Sequence, residues 1–476
     1  MLKGRMKALT ICVKPMQQDT LCCGSQPNTN LCFLYVNRDM LLIRPQAGKR
    51  RRKMQTGLNI KDYIELTEGQ KDWTGAFQAA VADCVTAGGG TIYVPAGVYN
   101  THSIRLKTNI TLYLEAGAVL NFTDDIENYE LIDIEFEGIP MRMYMPCIFA
   151  EGEKNVSVVG QGTLDGNGMR WWKELKAGTL AAARPYLVCF SKCERVKLDG
   201  IILTNSPAWT VHPLYCNDVV VNNVAIKNPA DSPNTDGIDP NGSQNVRISN
   251  CIIDVGDDCI AIKSGTEDTP NPMPCENITI TNCNMLHGHG GVVIGSEMSG
   301  SVRNVTVSNC VFQDTDRGIR LKTRRRRGGA MENMIFQNIV MDHVLCPFIF
   351  NMYYYCGKNG KEKYVWDKAA YPVDASTPAV RDILVSNVTV INADAAAGFI
   401  YGLAEQPVEN IVFSNCRIKM TENGPAGEPA MLSNMPPMQQ AGFFIRNARG
   451  IEFHQTKIEN VKGEIFDLDE TAEVVK

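Results

Sequence analysis

One residue at one repeated position constrains this chain most. Asn250, Asn282, Asn309, Asn338, Asn387 and Asn415 each stand just after a short stretch of alternating apolar residues. Most intervals are roughly 27–32 residues, the size of one supersecondary unit. The stretches Asn109–Leu114, Val156–Val159, Val196–Asp199, Val219–Asn222, Val246–Ser249, Ile278–Thr281 and Val305–Ser308 read as strands, and Met334–Gln337, Ile383–Ser386 and Ile411–Ser414 continue the series. Asn tolerates left-handed backbone angles and can ladder through its amide, so it suits a tight turn repeated coil after coil. One strand of a coil cannot bury its face alone, so the coils must stack. The predicted fold class is all-β, a right-handed parallel β-helix. The rival solenoid, a leucine-rich repeat, lacks its Leu-x-x-Leu-x-Leu pattern here. A length of 476 residues is natural for such a stack, whose core grows by adding rungs.

Residues 1–57 do not carry the repeat and read as a small β-rich segment, with strands at Ala8–Val13, Leu31–Val36 and Met40–Arg44. Residues 58–476 form the β-helix domain, with the boundary inside Gln46–Gly57. The spacing of Phe77, Ala80, Val81 and Cys84 predicts an amphipathic helix over Trp73–Val85, ended by Gly88-Gly89-Gly90. A helix there would cap the open end of the stack and protect its edge. Three excursions leave the repeat: Asp125–Gly152, the basic turn Arg324–Gly329, and Cys346–Pro372, which holds Tyr353-Tyr354-Tyr355. Long excursions from a solenoid gather on one face and shape binding sites.

Cys251, Cys283, Cys310 and Cys416 each follow an Asn, so they share one strand position. Together with an odd total of 17 cysteines this predicts buried, reduced thiols and not a disulfide framework. Met1–Pro15 has only a short apolar piece and no clean cleavage site, so it reads as a strand and not a signal peptide. A cytoplasmic location is the expectation. No apolar run is long enough for a membrane helix. A net charge of −5 gives nucleic acid no obvious purchase.

The chemistry lies between Asn234 and Thr323, where four motifs fall one per repeat: Asn234-Thr235-Asp236-Gly237-Ile238-Asp239, Gly256-Asp257-Asp258-Cys259, Gly288-His289-Gly290-Gly291 and Arg317-Gly318-Ile319-Arg320-Leu321-Lys322. Equivalent positions on successive coils lie roughly 4.8 Å apart. Asp236, Asp257 and Asp258 would then be too close for all three to ionise. At least one keeps a proton and can act as an acid while the others remain bases. Glycosidic hydrolysis needs that division; a calcium site or a ladder of turn aspartates would use the same residues. His289, flanked by glycines that leave room for a substrate, could hold the acid's proton or bind substrate. Alone, it reads first as a turn histidine. Arg320 and Lys322 alternate with two apolar residues, so both project from one face. They could fork onto a uronate carboxylate or form a solvated basic face. Arg324–Arg327 either stay solvated or line the approach to the cleft. Tyr353 and its neighbours could stack on a sugar or pack in the core.

Taken together, these motifs resemble glycoside hydrolase family 28, the polygalacturonases, over about Asn59 to Met420. The family's Asn-Thr-Asp-Gly-Ile-Asp, Gly-Asp-Asp and Gly-His-Gly are present, and its Arg-Ile-Lys appears as Arg320-Leu321-Lys322. The resemblance implies a pectin-lyase-like solenoid and metal-independent hydrolysis of α-1,4 galacturonosyl linkages with inversion, needing no cofactor. It implies Asp257 as general acid and Asp236 with Asp258 as holders of the attacking water. His289 would support the acid, Asn234 would order the site, and Arg320, Lys322 and Tyr353 would bind the galacturonate. Phe136-Glu137-Gly138 and Gly295-Ser296-Glu297-Met298-Ser299-Gly300 resemble the bacterial exo-acting branch, in which inserted segments close one end of the cleft. The expected partner is thus a galacturonate oligosaccharide or pectin, attacked from the non-reducing end. Endo action and rhamnogalacturonan hydrolysis are close variants. A calcium-dependent pectate lyase and a non-catalytic carbohydrate-binding β-helix are the readings from other classes.

Overall fold

The computed structural model describes residues 57–357 and 359–476, together with the backbone of Cys32–Val36 and Asp39–Ile43. The chain divides into two units, Met1–Gln55 and Thr56–Lys476. In the first, Cys32–Val36 and Asp39–Ile43 pair antiparallel as a hairpin. The strand expected at Ala8–Val13 lies outside the described residues.

The second unit is a right-handed parallel β-helix. The strands read from the repeat all run along one side of the stack, each paired parallel with the equivalent strand of the next coil, as Val246–Ile278–Val305–Met334–Ile383–Ile411 are. Their inward residues are almost fully buried in one continuous core. The turn asparagines adopt positive φ, for example +58° at Asn250 and Asn309. Their amides ladder: Asn250 Nδ2 donates to Asn222 Oδ1 at 2.8 Å and Asn415 Nδ2 to Asn387 Oδ1 at 2.7 Å. A second ladder runs parallel to it through Asn217, Asn245, Asn277 and Asn304. Cys251, Cys283, Cys310 and Cys416 are free and buried.

The helix spans Thr74–Ala87 and ends on Gly88 in the left-handed conformation. It lays Ala76, Phe77, Ala80, Val81 and Cys84 onto the first coils. A second helix, Met169–Ala177, carries the buried Trp171 and Trp172 and was not legible in the repeat.

The other broad face of the stack decides function. It begins with the sheet Ile104–Arg105, Ile148–Glu151, Val188–Ser191 and Val211–Leu214. It continues through bridges at Ile238 and Asn241 into Asp258–Ile262, Gly290–Gly295, Arg317–Lys322, Cys346–Asn351, Ala396–Tyr401 and Ala441–Arg446. Cys346–Asn351 is therefore a regular rung; the excursion expected from Cys346 starts only after it. Within the Asp125–Gly152 excursion, Leu131–Phe136 and Ile139–Tyr144 form an antiparallel hairpin outside the stack.

Candidate active site

Two neighbouring rungs bring the three carboxylates together. Asp236 precedes the bridge residue Ile238, which pairs with Ile260, and Asp258 opens the strand that contains Ile260, with Asp257 immediately before it. Each of the three places a carboxylate oxygen within 4.8 Å of the others. Asp236 and Asp258 are buried, while the Asp257 side chain keeps about a fifth of its surface open, 21%.

Their charges divide. Burial alone would raise the Asp258 pKa, but Lys322 and Arg320 outweigh it and hold the carboxyl well below the usual range. Lys322 Nζ donates to Asp258 Oδ2 at 2.7 Å and Arg320 Nη1 to Oδ1 at 3.2 Å. Asp236 moves the other way, pushed well up by burial and by the neighbouring Asp257 and Asp239. Two of the three carboxyls are thus driven apart, Asp236 upward and Asp258 downward, so the water-holding pair is itself uneven.

His289 Nδ1 lies 3.2 Å from Asp257 Oδ1. That hydrogen bond raises the imidazole pKa against the opposing effect of burial. The imidazole remains half-exposed, at 53% of its side-chain surface. The glycine beside it makes room for something other than substrate. A Cβ on Gly290 would lie 2.4 Å from Val293 Cγ2 and 3.2 Å from Asp258 Oδ1. The missing side chain lets the clamped carboxylate sit flat against the rung.

Asn234, at φ +53°, accepts a hydrogen bond on Oδ1 from Arg184 Nη2 at 2.7 Å. The buried Arg184 also donates to the Pro207 and Pro233 carbonyls, each at 2.7 Å, and so ties the turn before Asp236 to the coil beneath. Burial lowers its pKa to about 10.

Arg320 and Lys322 project outward while Ile319 and Leu321 enter the core, as alternation requires. The tyrosine beside them is Tyr354, whose ring centroid lies 5.5 Å from the guanidinium and 5.3 Å from the ammonium. Tyr353 is turned into the core, with the Lys368 ammonium 3.2 Å from its ring centroid and Tyr401 packed edge-on at 4.8 Å. Past the strand end at Asn351 the two adjacent tyrosines enter different surroundings. The two readings of Arg324–Arg327 both give way. Arg324, Arg325 and Arg327 are buried: Arg324 and Arg327 clamp Glu267, and Arg325 clamps Glu405. Arg326 is exposed over the Tyr364 ring. These arginines are struts for the loops around the cleft.

Sequence reasoning missed Lys263. It is buried, with Nζ 3.4 Å from Glu297 Oε2, 3.9 Å from Asp239 Oδ1 and 4.0 Å from Asp236 Oδ2. Burial alone would discharge it, but Glu297, Asp236 and Asp239 outweigh that and keep it charged. Glu297 is held down at about 2, its burial outweighed by Lys263 and Arg327. The Lys263 ammonium also lies 4.5 Å from the Trp209 ring centroid. The signal was available: Asn241 pairs with Lys263, Gly295 with Lys322, and Lys263 stands in step with Gly295, so Lys263 and Lys322 share one outward column.

The hairpin arches over the rungs before the carboxylates. Phe136 stacks on Tyr186 at 5.7 Å and on Trp209 at 5.5 Å. Tyr186 and Tyr215 donate their hydroxyl hydrogens to the Glu135 carbonyl and carboxylate, at 2.8 and 2.6 Å. Thr269 donates its own to the Gly138 carbonyl. At the tip, burial and Glu297 push the Glu137 carboxyl up.

A cleft floored by carboxylates and lined with fixed cations suits acid–base cleavage of an anionic sugar chain, and comparison with known proteins points the same way. The profile of "Glycosyl hydrolases family 28" matches residues 84–431. A "Probable polygalacturonase" of Vitis vinifera is 32% identical over 374 residues, covering 76% of this chain and 74% of its own. The "Exo-poly-alpha-D-galacturonosidase" of Dickeya chrysanthemi is 29% identical over 383 residues, covering 70% of this chain and 62% of its own. The exopolygalacturonase structure from Thermotoga maritima superposes with a TM-score of 0.70 at 28% identity, covering 88% of this chain and 93% of its own. The four motifs, their stacking into one cleft and these matches agree: the chain is a glycoside hydrolase and belongs to family 28 of the glycosyl hydrolases.

Proposed function

We propose that this chain is a polygalacturonase that hydrolyses α-1,4 galacturonosyl linkages in pectin-derived oligogalacturonides, acting from the non-reducing end with inversion. The observation that carries exo action is the hairpin Leu131–Tyr144, whose Phe136 covers Trp209 one rung before Asp236. A chain passing through the cleft would meet that ring.

In this reading Asp257 protonates the leaving oxygen, because it is the one carboxyl of the three that faces the open cleft and touches His289. Asp236 and Asp258 hold the water between them. Arg320, Lys322 and Lys263 offer cations to the galacturonate carboxylate, with Tyr354 beside the first two. The three carboxylates lie within 4.8 Å of one another, closer than the roughly 6.5–9.5 Å typical of inverting pairs. Inversion is nevertheless favoured, because both Asp258 oxygens are tied to cations and neither is free to attack the anomeric carbon.

The calcium-dependent lyase reading fares worse on the donor set. Calcium takes about six to eight oxygens, largely from uncommitted carboxylates and carbonyls. Here Asp258 is spent on Arg320 and Lys322, and Lys263 faces Asp236.

Product analysis tests the proposal. Galacturonate oligomers are digested with a chelator present, lengths are followed over time, and the anomer of the first product is read by proton NMR. Early release of monomer or dimer alone, with inverted configuration, supports it. A spread of lengths refutes exo action, unsaturated products refute hydrolysis, and retained configuration refutes the role given to Asp258.

A further inference from the structure

Catalytic and cationic residues of the cleft come from successive rungs, so the cleft is drawn out along the stack. The hairpin stands at its N-terminal end. At the other end stands a second segment, the arm between the strands Arg417–Met420 and Ala441–Arg446.

The arm leaves the stack and folds back over its outer face. Arg317 Nη2 donates to the Glu428 carbonyl at 2.7 Å and Arg317 Nε to the Pro429 carbonyl at 3.4 Å. Asn351 Nδ2 donates to the Met431 carbonyl at 2.9 Å, and Met431 Sδ lies 3.2 Å from Arg320 Nη2. Ala430 and Leu432 of the arm are buried, at 2% and 5% exposure. The arm thus lies over the Arg317–Lys322 rung and the rung that follows it.

Between the hairpin and the arm the floor is made by the rungs of Ile238–Asn241, Asp258–Ile262 and Gly290–Gly295 and ends at Arg320 and Lys322, where Met431 meets Arg320. At roughly 4.8 Å per rung the floor is about 10–15 Å long. One pyranose ring spans about one rung.

We propose that the cleft is walled at both ends and accepts galacturonate oligomers of two or three residues, with the arm Gly427–Met438 as the gauge of length. The inference rests on the galacturonan reading above and adds a limit to it. Closure at the hairpin end alone would let a long chain trail out past Lys322 at no cost. Closure at both ends makes every added residue a clash.

The arm can be shortened with its base intact, because Gly427 and Met438 exchange both backbone hydrogen bonds, at 2.9 and 2.8 Å. Replacing Glu428–Pro437 by Asn-Gly gives a two-residue turn suited to that pair. The experiment compares kcat/KM for tri- and pentagalacturonate and for polygalacturonate, per chain end, in the unaltered protein and in the shortened variant. Arg317→Gln, which frees the arm without deleting it, is the second variant, and thermal melts confirm that both variants fold.

The unaltered protein should cleave the trimer at least about tenfold faster than the pentamer, and either variant should cut that ratio about tenfold. The inference is overturned if the unaltered protein takes longer chains as well as the trimer. It is also overturned if a folded variant leaves the ratio unchanged. Absence of hydrolysis on every galacturonate substrate would overturn the galacturonan reading itself, and the length limit with it.

Discussion

Replacing Lys322 by Met tests the electrostatic core of the site. The change keeps the length and apolar stem of the side chain and removes the cation 2.7 Å from Asp258 Oδ2. At that distance a pair of unit charges attracts by about 6 kcal/mol at an effective dielectric constant near 20. Arg320 remains at 3.2 Å and recovers part of this. The net loss should fall at about 3–5 kcal/mol, as for other buried pairs broken from one side. The pH dependence gives the sharper test. In the unaltered protein the depressed Asp258 pKa contributes stability that is complete above the unfolded value of about 3.9 and is lost as pH falls through the folded pKa. In Lys322→Met that carboxyl is buried with one cation fewer, its pKa rises, and neutral pH penalises it. The gap between the two proteins should be widest at pH 7 and narrow steadily below pH 5. Urea unfolding at pH 4, 5, 6 and 7 measures it. A gap under about 1 kcal/mol at pH 7, or one that stays constant with pH, would refute the clamp as the reason Asp258 is ionised.

Four further outcomes are expected. The His289 imidazole, titrated through its Cε1 proton, should show a pKa above 6.5 that Asp257→Asn brings down; its contribution to stability is full below 6.5 and lost as pH rises through the folded value. Asp257→Asn should lower kcat by about 10²–10⁴-fold with the circular dichroism spectrum unchanged. Asn309→Ala should cost about 1–2 kcal/mol in urea unfolding, because the residue sits at φ +58° and alanine neither tolerates that angle nor ladders, and Asn309→Gly should recover part of the loss. Glu267→Gln should leave Arg324 and Arg327 without their anion, and hydrogen exchange should then show lost protection at Thr266–Thr269 and in the hairpin that Thr269 holds.

The architecture was readable because a solenoid writes its period into the chain. Asn at a left-handed turn and apolar alternation before it are both local demands, and each recurs at every coil. The carboxylates, His289 and the Arg320–Lys322 pair were readable for the same reason: in a parallel stack, sequence spacing maps almost directly onto spatial order. Lys263 escaped notice because it lies outside any short motif, although its column position carried the signal. Tyr353 was preferred over Tyr354 because nothing local distinguishes adjacent aromatics on an irregular segment.

By itself, then, the sequence determined the period, the stacking and the set of groups gathered on one face, since each follows from local backbone preference and the residue-by-residue register of parallel strands. Tertiary structure alone decided which of those groups carry charge and how far the cleft extends. Asp258 is held below the usual carboxylate range because two cations lie within hydrogen-bonding distance of it, Asp236 is pushed the other way by burial beside other carboxyls, and Arg324, Arg325 and Arg327 are buried on glutamates from distant loops. The hairpin and the arm are excursions without a repeat, so nothing in their sequence shows where they return to the stack. Their landing places are set by long-range packing: Phe136 against Trp209, and Met431 against Arg320.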